Sequence, residues 1–204
     1  MKRMVAFVSN PAPDLATVLA EQPGVVRAVA SGPPLAGSFP VGDHFVDVVA
    51  EDPVAVGAAI AELAESVSVF SLTERVGELP EPALRHAVKR VLVVRVLDGT
   101  PASTVERFER ELARMPEYIP AIRNWSLSHV EMVAGEMLAG DAVWSHAWEQ
   151  EYRDRASFQE YMESPYHWGV IEKWFDPTFP ERIVDTRLAQ VFYDVDTSLL
   201  SPAP

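Results

Sequence analysis

The alternation of apolar and polar residues in the first part of the chain predicts four strands and two helices. Runs rich in β-branched residues predict strands at residues 3–9, 24–31, 44–49 and 67–73. Between them, apolar residues recur at helical spacing in segments 15–19 and 56–63. Asp52 followed by Pro53 predicts a capped start for the second of these helices. The predicted order of elements is therefore β-α-β-β-α-β.

The same order of elements returns in the second part of the chain. Strands are predicted at residues 88–97, 125–132, 143–152 and 185–193. Ser103 and Glu106 have the spacing of a capping box, which predicts that a helix with one apolar side starts there. Asp154 is placed to cap a helix that continues to residue 163, and a further helical piece is predicted at 168–175.

This repeated order predicts an α+β protein built from tandem ferredoxin-like domains. The predicted domains are residues 1–78 and 88–204, and the two prolines near residue 80 predict a linker at 79–87. A sheet with helices on one side leaves its other side apolar and uncovered. We therefore expect the uncovered sides to pack together in a dimeric-type α+β barrel, either as an internal pseudo-dimer or in a homodimer.

The composition excludes several classes of partner. The chain has 204 residues, no cysteine and a net charge of −13. This charge disfavours nucleic acid and anionic membranes, and the lack of cysteine excludes disulfides and thiolate metal sites. No apolar stretch approaches the roughly 20 residues of a membrane span, and the first ten residues do not resemble a signal peptide. A cytoplasmic location and a small-molecule substrate are the resulting expectations.

Three segments of the second part contain motifs that occur in a set order: VKRVLVVRVLDGT, ELARMPEYIPAIRNW and YRDRASFQEYMESPYHWGVIEKWF. The middle segment has a turn in which Pro116 is followed by Ile119-Pro120, and the last segment contains Tyr161, Pro165 and His167. In this combination they resemble the Dabb family of stress-responsive dimeric α/β-barrel proteins over residues 88–196. The first part shares the topology without these motifs, so we interpret it as a diverged ferredoxin-like copy.

The resemblance implies catalytic roles for His167 and Tyr161. In polyketide cyclases of this fold, the histidine of the Pro-x-His ending acts as a general base and the preceding helix tyrosine assists it. Imidazole exchanges protons near neutral pH, which suits this role. The tyrosine hydroxyl would either bond a substrate carbonyl or hold His167 in one tautomer. A purely structural role for His167 is the alternative.

Aromatic residues and a second histidine predict a pocket in the second part of the chain. All five tryptophans and all five tyrosines lie between Tyr118 and Tyr193, which is typical either of a small-molecule pocket or of a filled core. Residues two apart in a strand share a face, so His146 is expected beside Trp144 and Trp148. We predict that these three residues bind substrate, and a buried neutral imidazole is the alternative for His146.

Arg90 departs from the family pattern, which commonly has a histidine at this place in the first strand. An arginine stays protonated and cannot act as a base. It is predicted either to bind a substrate carboxylate or phenolate, or to pair with an acid such as Glu149 or Glu131. This departure puts a direct transfer of the cyclase reaction to this chain in doubt.

No metal site and no cofactor are predicted. The histidines are dispersed, and no His-x-x-x-His helix or clustered carboxylate-histidine spacing appears, so fold contacts would have to assemble any metal site. The leading hypothesis is a cofactor-independent cyclase, isomerase or lyase that acts on an aromatic or polyketide-like carbonyl compound. The alternatives are a non-catalytic stress-response ligand-binding protein and a cofactor-free monooxygenase.

Overall fold

The computed structural model describes residues 1–39, 42–136, 138 and 143–200. The strands within these residues are β1 (Lys2–Pro11), β2 (Val25–Ala30), β3 (His44–Ala50), β4 (Ala64–Glu78), β5 (Arg85–Val94), β6 (Asn124–Gly135), β7 (His146–Tyr152) and β8 (Ala189–Thr197). The α-helices are α1 (Leu15–Ala20), α2 (Pro53–Glu62), α3 (Ala102–Ala113), α4 (Met115–Tyr118) and α5 (Arg155–Glu163). A π-helical turn (His167–Ile171) and a 3₁₀ turn (Glu172–Trp174) follow α5. No helix in these ranges is long and apolar enough to cross a membrane.

All strands belong to one antiparallel sheet in the order β2-β3-β1-β4-β6-β7-β5-β8. Within each half of the chain, the four strands have the spatial order second, third, first, fourth, which is that of a ferredoxin-like domain. Pairing of β4 with β6 joins the two halves into a continuous ladder. The predicted α+β fold with tandem ferredoxin-like halves is confirmed.

The sheet curls so that its two outer regions meet. The loop at residues 31–39 pairs with β8, with the Leu35 amide donating to the Phe192 carbonyl at 2.8 Å and the Phe39 amide donating to the Gln190 carbonyl at 3.0 Å. The Phe192 amide donates to the Ser38 hydroxyl at 3.0 Å. The first half of the chain thereby covers the edge of the second half, as a barrel requires.

Apolar side chains of the described residues form three separate buried clusters. One lies between the sheet and the helices of the first half, and one between the sheet and the helices of the second half. The third lies between the two halves of the sheet, where Phe45 contacts Tyr193 with ring centroids 4.9 Å apart. The expected packing of the uncovered sheet sides therefore takes place within one chain; association with a second copy stays a prediction.

The interior of the barrel also contains buried charges. Arg3 forms ion pairs with Asp47 and Glu149, and the Lys89 ammonium lies 3.1 Å from Glu149. None of these four side chains is more than 9% exposed. Charged and apolar side chains therefore fill the region between the two sides of the sheet.

Helix starts follow the sequence signals in two cases and depart from them in one. The Asp52 carboxylate accepts from the amides of the first turn of α2, and Asp154 accepts from the Ser157 amide at the start of α5, as predicted. The predicted capping box at Ser103 is wrong, because α3 begins at Ala102 and no side chain caps it. The division into domains 1–78 and 88–204 with a linker at 79–87 stays a prediction.

Candidate active site

Strand β5 presents Arg90 to the helices of the second half. Neighbouring residues in a strand point to opposite faces, so Lys89 points into the barrel and Arg90 away from it. The strand register places Gln150 of β7 beside Arg90 on one side and Phe192 of β8 on the other. Helix α5 packs over this face of the sheet and brings Tyr161 to Arg90.

A cavity of about 210 Å³ lies between this face of the sheet and the helical segments of the second half. Four of the predicted site residues line it, namely His167, Tyr161, Arg90 and Trp148, and their roles toward a substrate stay predictions. Its other lining residues are Phe39, Leu92, Leu112, Met115, Met162, Trp168, Ile171, Glu172, Phe175, Leu188 and Gln190. The lining is mainly apolar with a few polar groups, which is the usual character of a small-molecule site.

His167 is buried beside aromatic rings. Its ring centroid lies 4.6 Å from that of Tyr161 and 4.8 Å from that of Trp168. Among the described residues, no group hydrogen-bonds to its Nδ1 atom. Burial, and secondly the positive charge of Arg90, lower the pKa of His167 to about 4. The imidazole is therefore neutral at physiological pH and can accept a proton.

Arg90 is a buried cation whose hydrogen-bond partners are neutral. Its Nε and Nη2 donate to Gln190 Oε1 at 3.0 and 2.6 Å, and its Nη1 donates to Gln150 Oε1 at 2.7 Å. The predicted alternative of an ion pair with Glu149 is wrong, because Glu149 points to the opposite side of the sheet and pairs with Arg3 and Lys89. Nor does Arg90 pair with Glu131, which is exposed on β6. A buried unpaired cation favours a bound anion.

Tyr161 is positioned to donate a hydrogen bond into the cavity. Its hydroxyl oxygen accepts from Arg90 Nη1 at 2.8 Å, and in the described part of the chain no acceptor takes the hydroxyl hydrogen. Burial raises the pKa of Tyr161 although Arg90 opposes this, so the phenol stays protonated. The cavity therefore combines a neutral base, a hydroxyl donor and a fixed positive charge.

The protonation of His167 provides a direct check of this environment. In an NMR titration, the His167 ring is expected to stay neutral until the pH falls to about 4. The Arg90→Met variant removes a nearby positive charge and should raise this midpoint, but only in part because burial is the larger cause. A midpoint near the ordinary value of 6.5 in the unchanged protein would contradict the buried position of His167.

Two residues predicted to bind substrate lie elsewhere. Strand β7 begins only at His146, so the alternation of faces does not extend back to Trp144. Trp144 instead packs edge-on against Phe70 between the two halves of the sheet, with centroids 6.0 Å apart. His146 is on the same side of the sheet as Trp148, but it contacts Phe108 and Glu109 of α3 and does not line the cavity.

Sequence reasoning missed several residues of the cavity. Gln190 holds Arg90 through two hydrogen bonds, and Glu172 and Phe39 contribute to the lining. Phe39 belongs to the first half of the chain and arrives only because the 31–39 loop pairs with β8. The alternation in the last strand could have placed Gln190 on the side of Phe192, but no sequence signal brings Phe39 to this site.

A second polar cluster lies apart from the cavity. Glu109, His129 and His146 bring one carboxylate oxygen and two imidazole nitrogens within 4.8 Å of one another. The dispersed histidines of the sequence predict no metal site, yet the fold gathers two of them around one carboxylate. This donor set is one that binds divalent transition metals.

Comparison with known proteins identifies the second half and the overall fold. Residues 88–185 match the family model described as the Stress responsive A/B Barrel Domain. No curated protein matches the chain. The resemblance inferred from the motifs is thus confirmed by the family model.

Solved structures resemble the chain over nearly its whole length. A proposed monooxygenase from Lactobacillus acidophilus NCFM has 12% identity and a TM-score of 0.56, over 94% of this chain and 92% of that protein. An anthrone oxidase-like protein has 8% identity and a TM-score of 0.56, over 95% of this chain and 90% of that protein. A proposed monooxygenase from Fusobacterium nucleatum subsp. nucleatum has 10% identity and a TM-score of 0.53, over 97% of this chain and 94% of that protein. At these identities the likeness shows a shared fold.

Proposed function

We propose that this chain, whose residues 88–185 form a stress-responsive A/B barrel domain, is an enzyme that transfers a proton on a small acidic carbonyl or phenolic compound. The observation that supports this most strongly is that the buried Arg90, which has no carboxylate partner among the described residues, shares one cavity with a neutral His167. The cation favours an anionic intermediate, and the imidazole can generate one.

The proposed step needs only side chains of this chain. The lone pair of the His167 imidazole takes a proton from an acidic C–H or O–H group of the substrate. The electrons of that bond remain on the substrate as an enolate or phenolate, whose oxygen is stabilised by the Arg90 guanidinium and the Tyr161 hydroxyl. The imidazolium then returns the proton to the product, so the enzyme is regenerated without a cofactor taking part.

The size of the cavity restricts the size of the substrate more than it restricts the type of reaction. A volume of about 210 Å³ is smaller than most drug-sized pockets and suits a compound with one ring or its open-chain equivalent. Trp148 and Trp168 supply flat apolar walls. Cyclisation, isomerisation and carbon–carbon cleavage can all begin with the proposed proton transfer. The site therefore indicates the class of substrate but does not distinguish between these products.

Cofactor-free oxygenation is a second candidate function. A phenolate or enolate stabilised by Arg90 is electron-rich, and an anion of this kind can react with molecular oxygen. Two of the structural neighbours are described as proposed monooxygenases, which agrees with this chemistry on the same fold. Oxygen consumption that depends on both substrate and His167 would favour this candidate over cyclisation or cleavage.

Binding and deuterium exchange test the proposal without knowledge of the product. Phenols and 1,3-dicarbonyl compounds would be screened by thermal shift, and the bound compounds would be incubated with the protein in D₂O. For ligands with an acidic C–H group, NMR should show enzyme-dependent exchange of that proton, whereas O–H protons exchange with D₂O without an enzyme. A bound compound with no exchange would identify a non-catalytic ligand-binding protein and contradict the proposed reaction.

Replacing Arg90 by methionine should weaken binding of an anionic ligand by about 10- to 100-fold, because hydrogen bonds to charged groups contribute about 1.5–3 kcal/mol. Isothermal titration would measure this, with a neutral analogue of the same ligand for comparison. Arg155→Gln is a matched control, since Arg155 is an exposed arginine paired with Asp194. Equal loss of affinity for the neutral analogue would mean that Arg90 only maintains the shape of the cavity.

A further inference from the structure

Three elements bring Glu109, His129 and His146 together. The register of β6 and β7 places His129 directly opposite His146, and their rings meet edge-to-face with centroids 4.8 Å apart. Helix α3 carries Glu109 above them, so that Oε1 lies 2.9 Å from the Nε2 atom of each histidine. Both imidazoles thus aim the same nitrogen at one carboxylate oxygen.

Ser145 contacts the nitrogen of His146 that faces away from Glu109. Its Oγ atom lies 2.8 Å from His146 Nδ1 and 3.2 Å from the Val94 carbonyl oxygen, and it accepts from the Val96 amide at 2.9 Å. When the hydroxyl donates to Val94, Nδ1–H of His146 donates to Ser145 and the lone pair of Nε2 faces Glu109. In that tautomer, Nε2 and the Glu109 carboxylate can bind the same metal ion.

The surroundings give this cluster an accessible side. A surface cavity of about 430 Å³ is lined by Glu109, His129 and Ser128, together with Glu106 and Arg110. The His146 side chain is only 5% exposed, whereas the side chains of Glu109 and His129 are 28% and 44% exposed. One ligand is therefore held deep in the fold, and the other two border solvent through which an ion can enter.

We propose that Glu109, His129 and His146 bind one divalent transition-metal ion, with Ser145 as the partner that orients His146. Two imidazoles and one carboxylate are a common ligand set for zinc and non-haem iron, and three protein ligands leave a position open to a further ligand. Hydrogen bonding of the second imidazole nitrogen is typical of metal-bound histidines. This site shares no lining residue with the cavity of His167, so the two proposals stand independently.

Metal titration of the full-length protein tests this site. Protein purified without a histidine tag and stripped with EDTA would be titrated with Zn²⁺ in a calorimeter and with Co²⁺ in a spectrophotometer. We expect one ion per chain, a visible Co²⁺ absorption band, and a rise in Tm with Zn²⁺ because the ion binds only the folded state. Mg²⁺, which prefers oxygen ligands, should cause no such rise.

Variants separate this site from adventitious binding. Glu109→Gln and His129→Gln lie at accessible positions and should each weaken Zn²⁺ binding by at least about 100-fold, whereas Ser145→Ala should weaken it by about 10- to 100-fold. His86→Gln is the matched control, because His86 is a surface histidine that faces a carboxylate of Asp196. Unchanged affinity in Glu109→Gln and His129→Gln would overturn the proposal. Absence of binding in the unchanged protein would also overturn it, and would mean that Glu109 pairs with a protonated imidazole.

Discussion

Replacing His167 by alanine is expected to reduce kcat/KM for substrate deuterium exchange by about 10²- to 10⁴-fold, which is the usual contribution of a general base. The reason is that His167 lines the cavity beside Arg90 and Tyr161, and its lowered pKa keeps it unprotonated at neutral pH. Most of the loss should be in kcat, since the Arg90 and Tyr161 contacts to the ligand remain. Steady-state kinetics with a ligand from the binding screen would measure both parameters.

The pH dependence of kcat/KM for the same reaction distinguishes a general base at His167 from a residue with a structural role. Activity requires the neutral imidazole, so kcat/KM should remain high as the pH is lowered and fall only near pH 4. The exposed His86 is a suitable control position, and His86→Ala should leave the kinetics unchanged. If His167→Ala retained normal exchange rates with an intact fold, the proposed mechanism would be excluded.

Replacing Glu149 by glutamine is expected to lower the free energy of unfolding by about 3–5 kcal/mol, the range observed when one partner of a buried ion pair is removed. The Glu149 carboxylate pairs with Arg3 from the first half and Lys89 from the second, and all three side chains are at most 9% exposed. Without it, the ion-pair partner left to Lys89 among the described residues is Glu151, at 3.8 Å. Urea denaturation followed by circular dichroism would measure the change.

Two comparisons make the Glu149 result specific. Glu131→Gln removes an exposed carboxylate from β6 and should change stability by less than about 0.5 kcal/mol. Lys89→Met combined with Glu149→Gln should be less destabilised than Glu149→Gln alone, because one unpaired cation is removed together with the anion. A direct interaction between Lys89 and Glu149 would be contradicted if the loss of unfolding free energy in the double variant equalled the sum of the losses in Lys89→Met and Glu149→Gln.

Acid sensitivity should follow from the same carboxylate. Burial raises the pKa of Glu149, but Arg3 and Lys89 more than offset this and lower it from 4.5 to about 2. The folded state therefore holds the proton less readily than the unfolded chain. The stabilisation is fully present above about pH 4.5 and is lost as the pH falls toward 2, and Glu149→Gln should abolish this part of the acid dependence.

Much of the fold could be predicted from short-range patterns. The Asp52 and Asp154 caps predict where two helices begin, because these signals depend on residues close in sequence. The Pro165 and His167 ending of the helical region also placed His167 and Tyr161 together, and their rings do lie in contact. Such contacts span only six residues, so the sequence order constrains them directly.

The chemistry of each sheet face could not be predicted in the same way. Strand periodicity says that Lys89 and Arg90 point to opposite sides, but it does not say which side meets helices and which meets the other half of the sheet. The predicted pairing of Arg90 with Glu149 is wrong because the register of β5 and β7 places the two side chains on opposite sides of the sheet. The irregular start of β7 similarly moved Trp144 away from the face that His146 and Trp148 share.

By itself, the sequence determined the order of the elements, the family of the second half and the pairing of His167 with Tyr161, because each depends on local spacing. Only the tertiary structure decided that the cavity lies under the helices, that Arg90 has no carboxylate partner in the described residues, and that Glu109 meets His129 and His146. These last features depend on strand register and on the closure of the sheet. Both depend on how distant segments pack together, and a local pattern of residues does not predict that packing.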